Sequence, residues 1–246
     1  MEIGYFAPSY NRPQKSKTQI LFPFVKLVVK ESEADKYIIN GNDIEICPDT
    51  AQGNLCRVRN WILDTQLKKY DAVVLMDDDY NSVIRWNKQK QIKLNNDEFQ
   101  ELCENIAILC KDWGFYFFGL NCVTDKGAYM EHTPFSTNKY IGGPFQGFIN
   151  GNELRYSEDL NLKEDYDMTL QNLYKYRGAL RCNFASYDVK QAEQIGGCAT
   201  QRNSKEEEKQ FLMLQKKWGE KIIQRDSKSK RDFDFNPILK TPLKGV

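Results

Sequence analysis

The chain has 246 residues, 41% of them hydrophobic and 28% charged, with a formal net charge of +1. That suits one large α/β domain with a buried core and excludes a global basic field, so any nucleic-acid contact has to come from local patches. No apolar run approaches the roughly 20 residues of a membrane span, and no basic stretch followed by an apolar one marks a leader, so a soluble, cytoplasmic protein without membrane contact is expected.

In chain order, Ile3 to Ala7 reads as a first strand that stops at Pro8, followed by the polar loop 9–13. Val25 to Lys30 and Ile44 to Cys47 read as further strands, with a turn at Asn40-Gly41 between them. Gly53 precedes a helix from about Asn54 to Lys68. Ala72 to Met76 is a continuous apolar run of strand length, as expected of a central parallel strand covered on both faces. A helix over 97–112 has an apolar stripe from Phe99 to Cys110, Asn96 as its cap and Gly114 as its stop. Tyr116 to Leu120 and Phe145 to Ile149 read as strands, and a helix runs from Glu164 to Tyr176. Ala179 to Val189 is extended, and a charged helix follows from about Lys205 to Ile223. The alternation in the first half predicts a mainly parallel, three-layer α/β domain. The seven cysteines contain no CxxC pair, which predicts buried, reduced thiols rather than disulfides or zinc.

Four segments carry the chemistry. Asp77-Asp78-Asp79 closes the apolar strand. Three adjacent carboxylates repel one another unless a cation neutralises them, and open α/β sheets bind ligands beyond the carboxyl ends of their strands. Residues two apart on an extended segment point the same way, so Asp77 and Asp79 are the expected pair for Mg²⁺ or Mn²⁺. The ordinary alternative is an acidic surface turn. Glu164-Asp165, with Asp167 just after, opens a helix. A carboxylate there is held by backbone N–H groups and suits a general base that takes the proton of a reacting hydroxyl; an ordinary acidic first turn is the competing reading. In Gly53-Asn54-Leu55-Cys56-Arg57-Val58-Arg59 the two arginines cannot share a helix face, so one is expected to turn to a phosphate and the other to solvent. The loop after the first strand, with Pro8, Ser9, Tyr10 and Arg12, lies where a nucleotide sits. It lacks GxGxxG, and no GxxxxGK(S/T) occurs, which disfavours dinucleotide and P-loop readings.

In this order the segments APSYNRP, GNLCRVRN, VVLMDDDY and KEDYDM resemble the glycosyltransferases of the GT-A fold, especially the inverting family 2. The resemblance covers roughly residues 2 to 178. It implies a Rossmann-like three-layer α/β/α sandwich over 1–190, with a nucleotide-sugar half (1–80), an acceptor half (81–190) and a C-terminal helical and basic extension (191–246). It implies a donor such as UDP-glucose, a Mn²⁺ or Mg²⁺ ion at Asp77 and Asp79, Asp78 near the ribose and Asp165 as the base beside Glu164. Glu31 matches the acidic residue that reads the nucleobase. The whole chain is also similar to the phage TET-associated glycosyltransferases, which implies hydroxymethylated pyrimidines in double-stranded DNA as the acceptor. The tail segments 196–202, Lys217-Trp218-Gly219 and 233–237 carry that likeness.

Two features depart from the pattern. The only histidine, His132, precedes the acidic pair instead of following it, and packing is its expected role. Neutral charge suits a DNA acceptor poorly, although Arg85, Lys88, Lys90 and Lys93 form one basic patch and Lys216, Lys217, Lys221, Arg225, Lys228, Lys230 and Arg231 another. Trp86 within the first is the candidate to stack on an exposed base; ordinary solvated charged faces are the competing reading of each patch and, for either patch alone, the favoured one. The competing functions are transfer to a glycan or protein hydroxyl and a non-catalytic nucleotide-sugar or nucleic-acid binding module. A nucleotidyltransferase would need a glycine-rich phosphate loop that the N-terminus lacks.

Overall fold

A computed structural model describes residues 1–88, 90–189, 203–226 and 235–241, without the side chain of Lys126. The chain opens with β1 (Ile3–Pro8), α1 (Lys17–Leu21), β2 (Lys26–Lys30), α2 (Ala34–Ile39), β3 (Ile44–Cys47), α3 (Leu55–Gln66) and β4 (Ala72–Met76). A hairpin of β5 (Tyr80–Asn87) and β6 (Lys90–Lys93) follows, then α4 (Asn96–Asp112), β7 (Phe117–Asn121), the two-residue β8 (Phe135–Ser136) and β9 (Phe145–Ile149). The rest comprises α5 (Glu164–Lys175), β10 (Leu180–Val189), α6 (Ser204–Trp218), β11 (Ile223–Arg225) and β12 (Pro237–Leu239).

One sheet runs in the order β3-β2-β1-β4-β9-β7-β10-β5-β6, with β8 beside β10. β1 to β4 are parallel. β9 runs antiparallel between β4 and β7, β10 is parallel to β7, and β5 and β6 return antiparallel. The sheet is therefore mixed, and the expectation of a mainly parallel one holds only for the first block. Periodicity did not reveal the β5–β6 hairpin, because its residues do not alternate cleanly between apolar and polar. Nor did it reveal α1 and α2, which at 5 and 6 residues are too short for a helical stripe to show.

Helices cover both faces. Tyr37 of α2 and Phe99, Cys103 and Ile106 of α4 pack with Phe22, just past α1, against one face of the sheet. Cys56, Val58, Ile62 and Leu63 of α3 and Met168 and Leu173 of α5 pack against the other. This is the expected three-layer α/β/α arrangement. A third, smaller cluster joins Leu170 of α5 to Phe211 and Leu214 of α6 and Ile223 of β11. Asn95, not Asn96, caps α4, in a capping box with Glu98. Helix α6 stops at Trp218 instead of running to Ile223, because Gly219 takes φ 94° and ends the helical path. Cys47, Cys56, Cys103, Cys110 and Cys182 are buried and Cys122 is half-buried, and none of these six is in a disulfide. No helix among the described residues is long and apolar enough to cross a membrane.

Candidate active site

The carboxyl ends of β1, β4, β7 and β10 share one edge of the sheet, and β9 enters from that edge. β4 is buried along its whole length. It delivers Asp77 to this edge, and the chain then turns through Asp78 and Asp79 into β5. The extended path expected past the strand is thus replaced by a turn, and α1 braces it. Thr18 Oγ1 donates to the Asp77 carbonyl at 2.7 Å and accepts the Tyr80 N–H at 3.1 Å. Ser16 Oγ donates to the Asp78 carbonyl at 2.8 Å while capping α1. Neither residue was singled out in the sequence; a serine N-cap is the signal that could have found Ser16.

The three carboxylates occupy different settings. Asp78 accepts from Ser9 Oγ at 2.5 Å and from Arg12 Nη1 at 3.0 Å. Tyr37 stands behind this loop, 3.1 Å from Ser9 Oγ and accepting the Arg12 N–H at 3.0 Å. Asp77 is the most open of the three, with 36% of its side chain exposed, and it faces Arg59 at 3.5 Å. Asp79 is buried, with Arg12 at 3.9 Å. Burial first, then the charges of Asp77 and Asp78, push the Asp79 carboxyl up to about 7, against the pull of Arg12 and Lys17. Burial raises Asp77 as well, opposed chiefly by Arg59.

Arg59 is the hinge of the site. The N-cap Asn54, accepting from the Cys56 and Arg57 N–H groups, starts α3 so that position 59 faces inward. Its side chain is 1% exposed and lies over the Tyr156 ring, 5.5 Å from the centroid. It donates to Glu164 Oε1 at 3.0 Å and to the Gly143 carbonyl at 2.9 Å, and reaches Asp77. Burial opposes its charge, but Tyr156, Glu164 and Asp77 more than offset that, so it holds its proton more tightly than a free arginine. Asp165 accepts from the Gly143 N–H at 3.1 Å, from Tyr140 Oη and from the Tyr166 N–H at 2.8 Å. Burial and the neighbouring Asp165 push Glu164 up to about 8, with Arg59 pulling the other way. Asp77, Asp78, Asp79, Glu164 and Asp165 therefore gather around the guanidinium groups of Arg12 and Arg59. Anionic charge is in surplus there.

The Gly142-Gly143 turn was not singled out in the sequence, although a Gly-Gly-Pro run is a strong turn signal. A Cβ on Gly143 would stand 3.3 Å from Glu164 Oε1, 3.4 Å from Asp165 Oδ2 and 3.5 Å from Arg59 Nη1. The glycine thus lets backbone approach the acids directly.

Other expected residues lie elsewhere. Arg57 faces out and pairs with Glu158 at 2.9 Å. Gly53, at φ 87°, turns the chain into α3. Glu31 is exposed, and Glu33, two residues on, is the buried acid that accepts the Asn11 N–H of the first loop at 3.3 Å. Tyr10 is exposed after Pro8, with Lys30 Nζ 5.3 Å from its ring centroid. His132 is exposed in a turn, not packed. Trp86 is only 8% exposed and cannot offer its face to a base. Cross-strand register puts Arg85 with Ile92 and Asn87 with Lys90, but Lys93 with Ile84. Arg85 and Lys90 thus share one face of the hairpin and Lys93 lies on the other, so the first basic patch is divided. In the second, Lys217 is committed to Asp167 at 2.8 Å. Lys228, Lys230, Arg231 and the segment 196–202 lie outside the described residues, as do the first two residues of 233–237.

A family model described as TET-Associated Glycosyltransferase matches residues 14–197. No curated protein matches the chain. Among solved structures, A197 from STIV is similar at 13% identity and a TM-score of 0.43, covering 77% of this chain and 86% of that one. TarS from S. aureus, residues 1–349 in complex with UDP, is similar at 13% identity and a TM-score of 0.45, covering 87% and 66%. Neither likeness is close enough to carry an argument about substrate or mechanism.

Proposed function

The chain belongs to the TET-associated glycosyltransferase family and is a glycosyltransferase; from that premise we propose that it is a metal-dependent, inverting enzyme that moves a hexose from a nucleotide sugar, UDP-glucose or similar, to a hydroxymethylated pyrimidine in double-stranded DNA. The observation that supports this most is the convergence, on one edge of the sheet, of Asp77 with the acid pair Glu164-Asp165, which follows it by almost ninety residues: Arg59 joins Asp77 to Glu164, and Gly143, whose carbonyl accepts from Arg59, donates its N–H to Asp165. The first loop, with Pro8, Ser9, Tyr10 and Arg12, borders Asp78 and forms the nucleotide side. Tyr10 offers an exposed ring for stacking. Asp78, already accepting from Ser9 and Arg12, faces the ribose.

The residues present fit a hard divalent cation. No group of three metal-ligating side chains occurs among the described residues, but Mg²⁺ and Mn²⁺ are commonly held by one or two carboxylates together with phosphate oxygens and water. Asp77 and Asp79 would supply the carboxylates, and the surplus anionic charge favours a cation there. When bound, the ion neutralises the charge that develops on the departing diphosphate. Asp165 takes the acceptor hydroxyl proton as the oxygen bonds to the sugar carbon and the bond from that carbon to the diphosphate breaks. Attack opposite the leaving group inverts the anomeric centre. Arg59 holds Glu164 and the Gly143 carbonyl, and Gly143 N–H and Tyr140 orient Asp165. Labelled nucleotide sugars with Mn²⁺, offered to duplex DNA with and without 5-hydroxymethylated pyrimidines, test the proposal. Label entering only the hydroxymethylated duplex supports it. Donor hydrolysis without label transfer refutes the DNA acceptor and favours a glycan or protein hydroxyl. Retained configuration by NMR refutes Asp165 as the base of a single displacement.

A further inference from the structure

Helix α6 lies beyond residue 197, where the family match ends, yet it holds the segment that carries the acid pair at four points. Gln210 accepts the Leu162 N–H at 2.8 Å and donates to Asn161 Oδ1 at 2.5 Å. Glu207 pairs with Lys163, and both side chains are almost fully buried. Lys217 Nζ and Trp218 Nε1 each reach Asp167 Oδ1 at 2.8 Å. Asp167 is wholly buried, and Ser157 Oγ at 3.0 Å and Gln171 Nε2 at 2.7 Å complete its shell. The clamped residues, 161–163 and 167, bracket Glu164 and Asp165.

We infer that α6 is a positioning element for the catalytic acids, with Glu207, Lys217 and Trp218 as positioning residues. The physical case rests on what each contact fixes. The N-terminus of α5 has no side-chain cap, since its N-cap residue is Lys163. An uncapped first turn frays, and a frayed turn would let Asp165 drift from its partners. Burying Lys163 against Glu207 pins the residue before the acids, and Asp167 pins the residue after them. Buried ion pairs add little net stability over apolar packing but do fix geometry, which is what a base held within a fraction of an ångström requires. The inference rests on the proposed role of Asp165.

The test compares Trp218→Phe, Lys217→Met and Lys217→Arg with Asp165→Asn and with Ile106→Val, a core change in α4 on the far face of the sheet. Three readouts are taken on the full chain: hydrogen exchange over 161–168, Mn²⁺-dependent UDP binding by calorimetry, and turnover of UDP-glucose with Mn²⁺. Trp218→Phe and Lys217→Met should speed exchange at 163–166 at least tenfold and lower turnover about tenfold, with UDP affinity unchanged. Lys217→Arg should restore most of both, and Ile106→Val should do neither. Unchanged exchange at 163–166 in both variants overturns the inference even if UDP-glucose is not the donor. A dead Asp165→Asn beside a fully active Trp218→Phe overturns it while leaving the base intact. An active Asp165→Asn refutes the base itself.

Discussion

Two carboxylates of the first turn of α5 stand two residues apart in opposite circumstances. Asp165 is half-buried at the edge of the sheet, beside Glu164, which Arg59 joins to Asp77, and accepts the Gly143 N–H. Asp167 points into the protein, is 0% exposed, and is met by a lysine, an indole N–H, an amide and a hydroxyl. One region gathers carboxylates beyond what its cations neutralise. The other satisfies a single carboxylate completely. Surplus charge that structure alone does not satisfy marks a place where a ligand completes the balance, whereas a saturated carboxylate is a structural rivet. On the proposed reading, the same residue type on one turn of one helix serves chemistry on one face and assembly on the other.

The largest expected effect separates these two. Asp165→Asn is nearly isosteric and should lower turnover by about a hundredfold or more, with thermal stability and donor affinity close to wild type. Asp167→Ala should instead cost about 3 kcal/mol of stability, the lower end for a broken buried pair, because Lys217 can turn toward water, and should lower turnover only about tenfold, through the loosened first turn of α5. Steady-state kinetics and thermal melts on both variants check this. If Asp167→Ala kept its stability while Asp165→Asn unfolded, the contrast would be inverted.

Asp79 sharpens the contrast from the other side. Its folded-state pKa is raised to about 7 from 3.8. The associated stability is therefore full below about pH 4 and lost as pH climbs toward 7, a loss of a few kcal/mol in order of magnitude. Metal-free protein should therefore melt lower at pH 8 than at pH 5. Mn²⁺ with UDP should recover more at pH 8 than at pH 6, since binding must displace the Asp79 proton at the lower pH. Asp79→Asn should raise the metal-free melting temperature at pH 8 and abolish the Mn²⁺ response. A normal Mn²⁺ response in that variant, seen by calorimetry with and without EDTA, would remove Asp79 from the metal site.

Gly142→Ala should have a smaller effect. Its Cβ would meet Tyr187 Oη at 2.3 Å and Cys122 Sγ at 2.8 Å. Both are packed, so the backbone has to shift and carry the Gly143 N–H away from Asp165. A tenfold to hundredfold loss of turnover, on the order of what a displacement of about 1 Å costs, is expected, with little change in UDP affinity. The smallest effect belongs to the hairpin. β5 runs eight residues from Tyr80, about 26 Å at strand rise, so Lys88 and Lys90 stand well away from Asp79. Lys88→Glu with Lys90→Glu should leave donor hydrolysis untouched and lower the slope of log DNA affinity against log salt by at most about 2. A full loss of transfer to DNA would show that the hairpin lies beside the acceptor.

Much of this was legible in the sequence, because it depends on local rules. The buried run Ala72 to Met76 announced a central strand and the acids that close it. The stripe of α4 and the start of α5 followed from periodicity and composition. The three layers followed from alternation. Tertiary structure decided the rest, because the deciding contacts join residues far apart in the chain. Two arginines two apart offered even choices, and only the packing of α3 made Arg59 the buried link to Glu164 and Asp77 and left Arg57 outside. Nothing local distinguished Glu31 from Glu33; the turn after β2 buried the second. Trp86 and the basic residues around it read as one surface until a hairpin put alternate side chains on opposite faces. Asp165 and Asp167 looked alike in an acidic helix start. Their roles parted only when α6, some fifty residues on, came to rest on one of them and left the other facing the edge of the sheet.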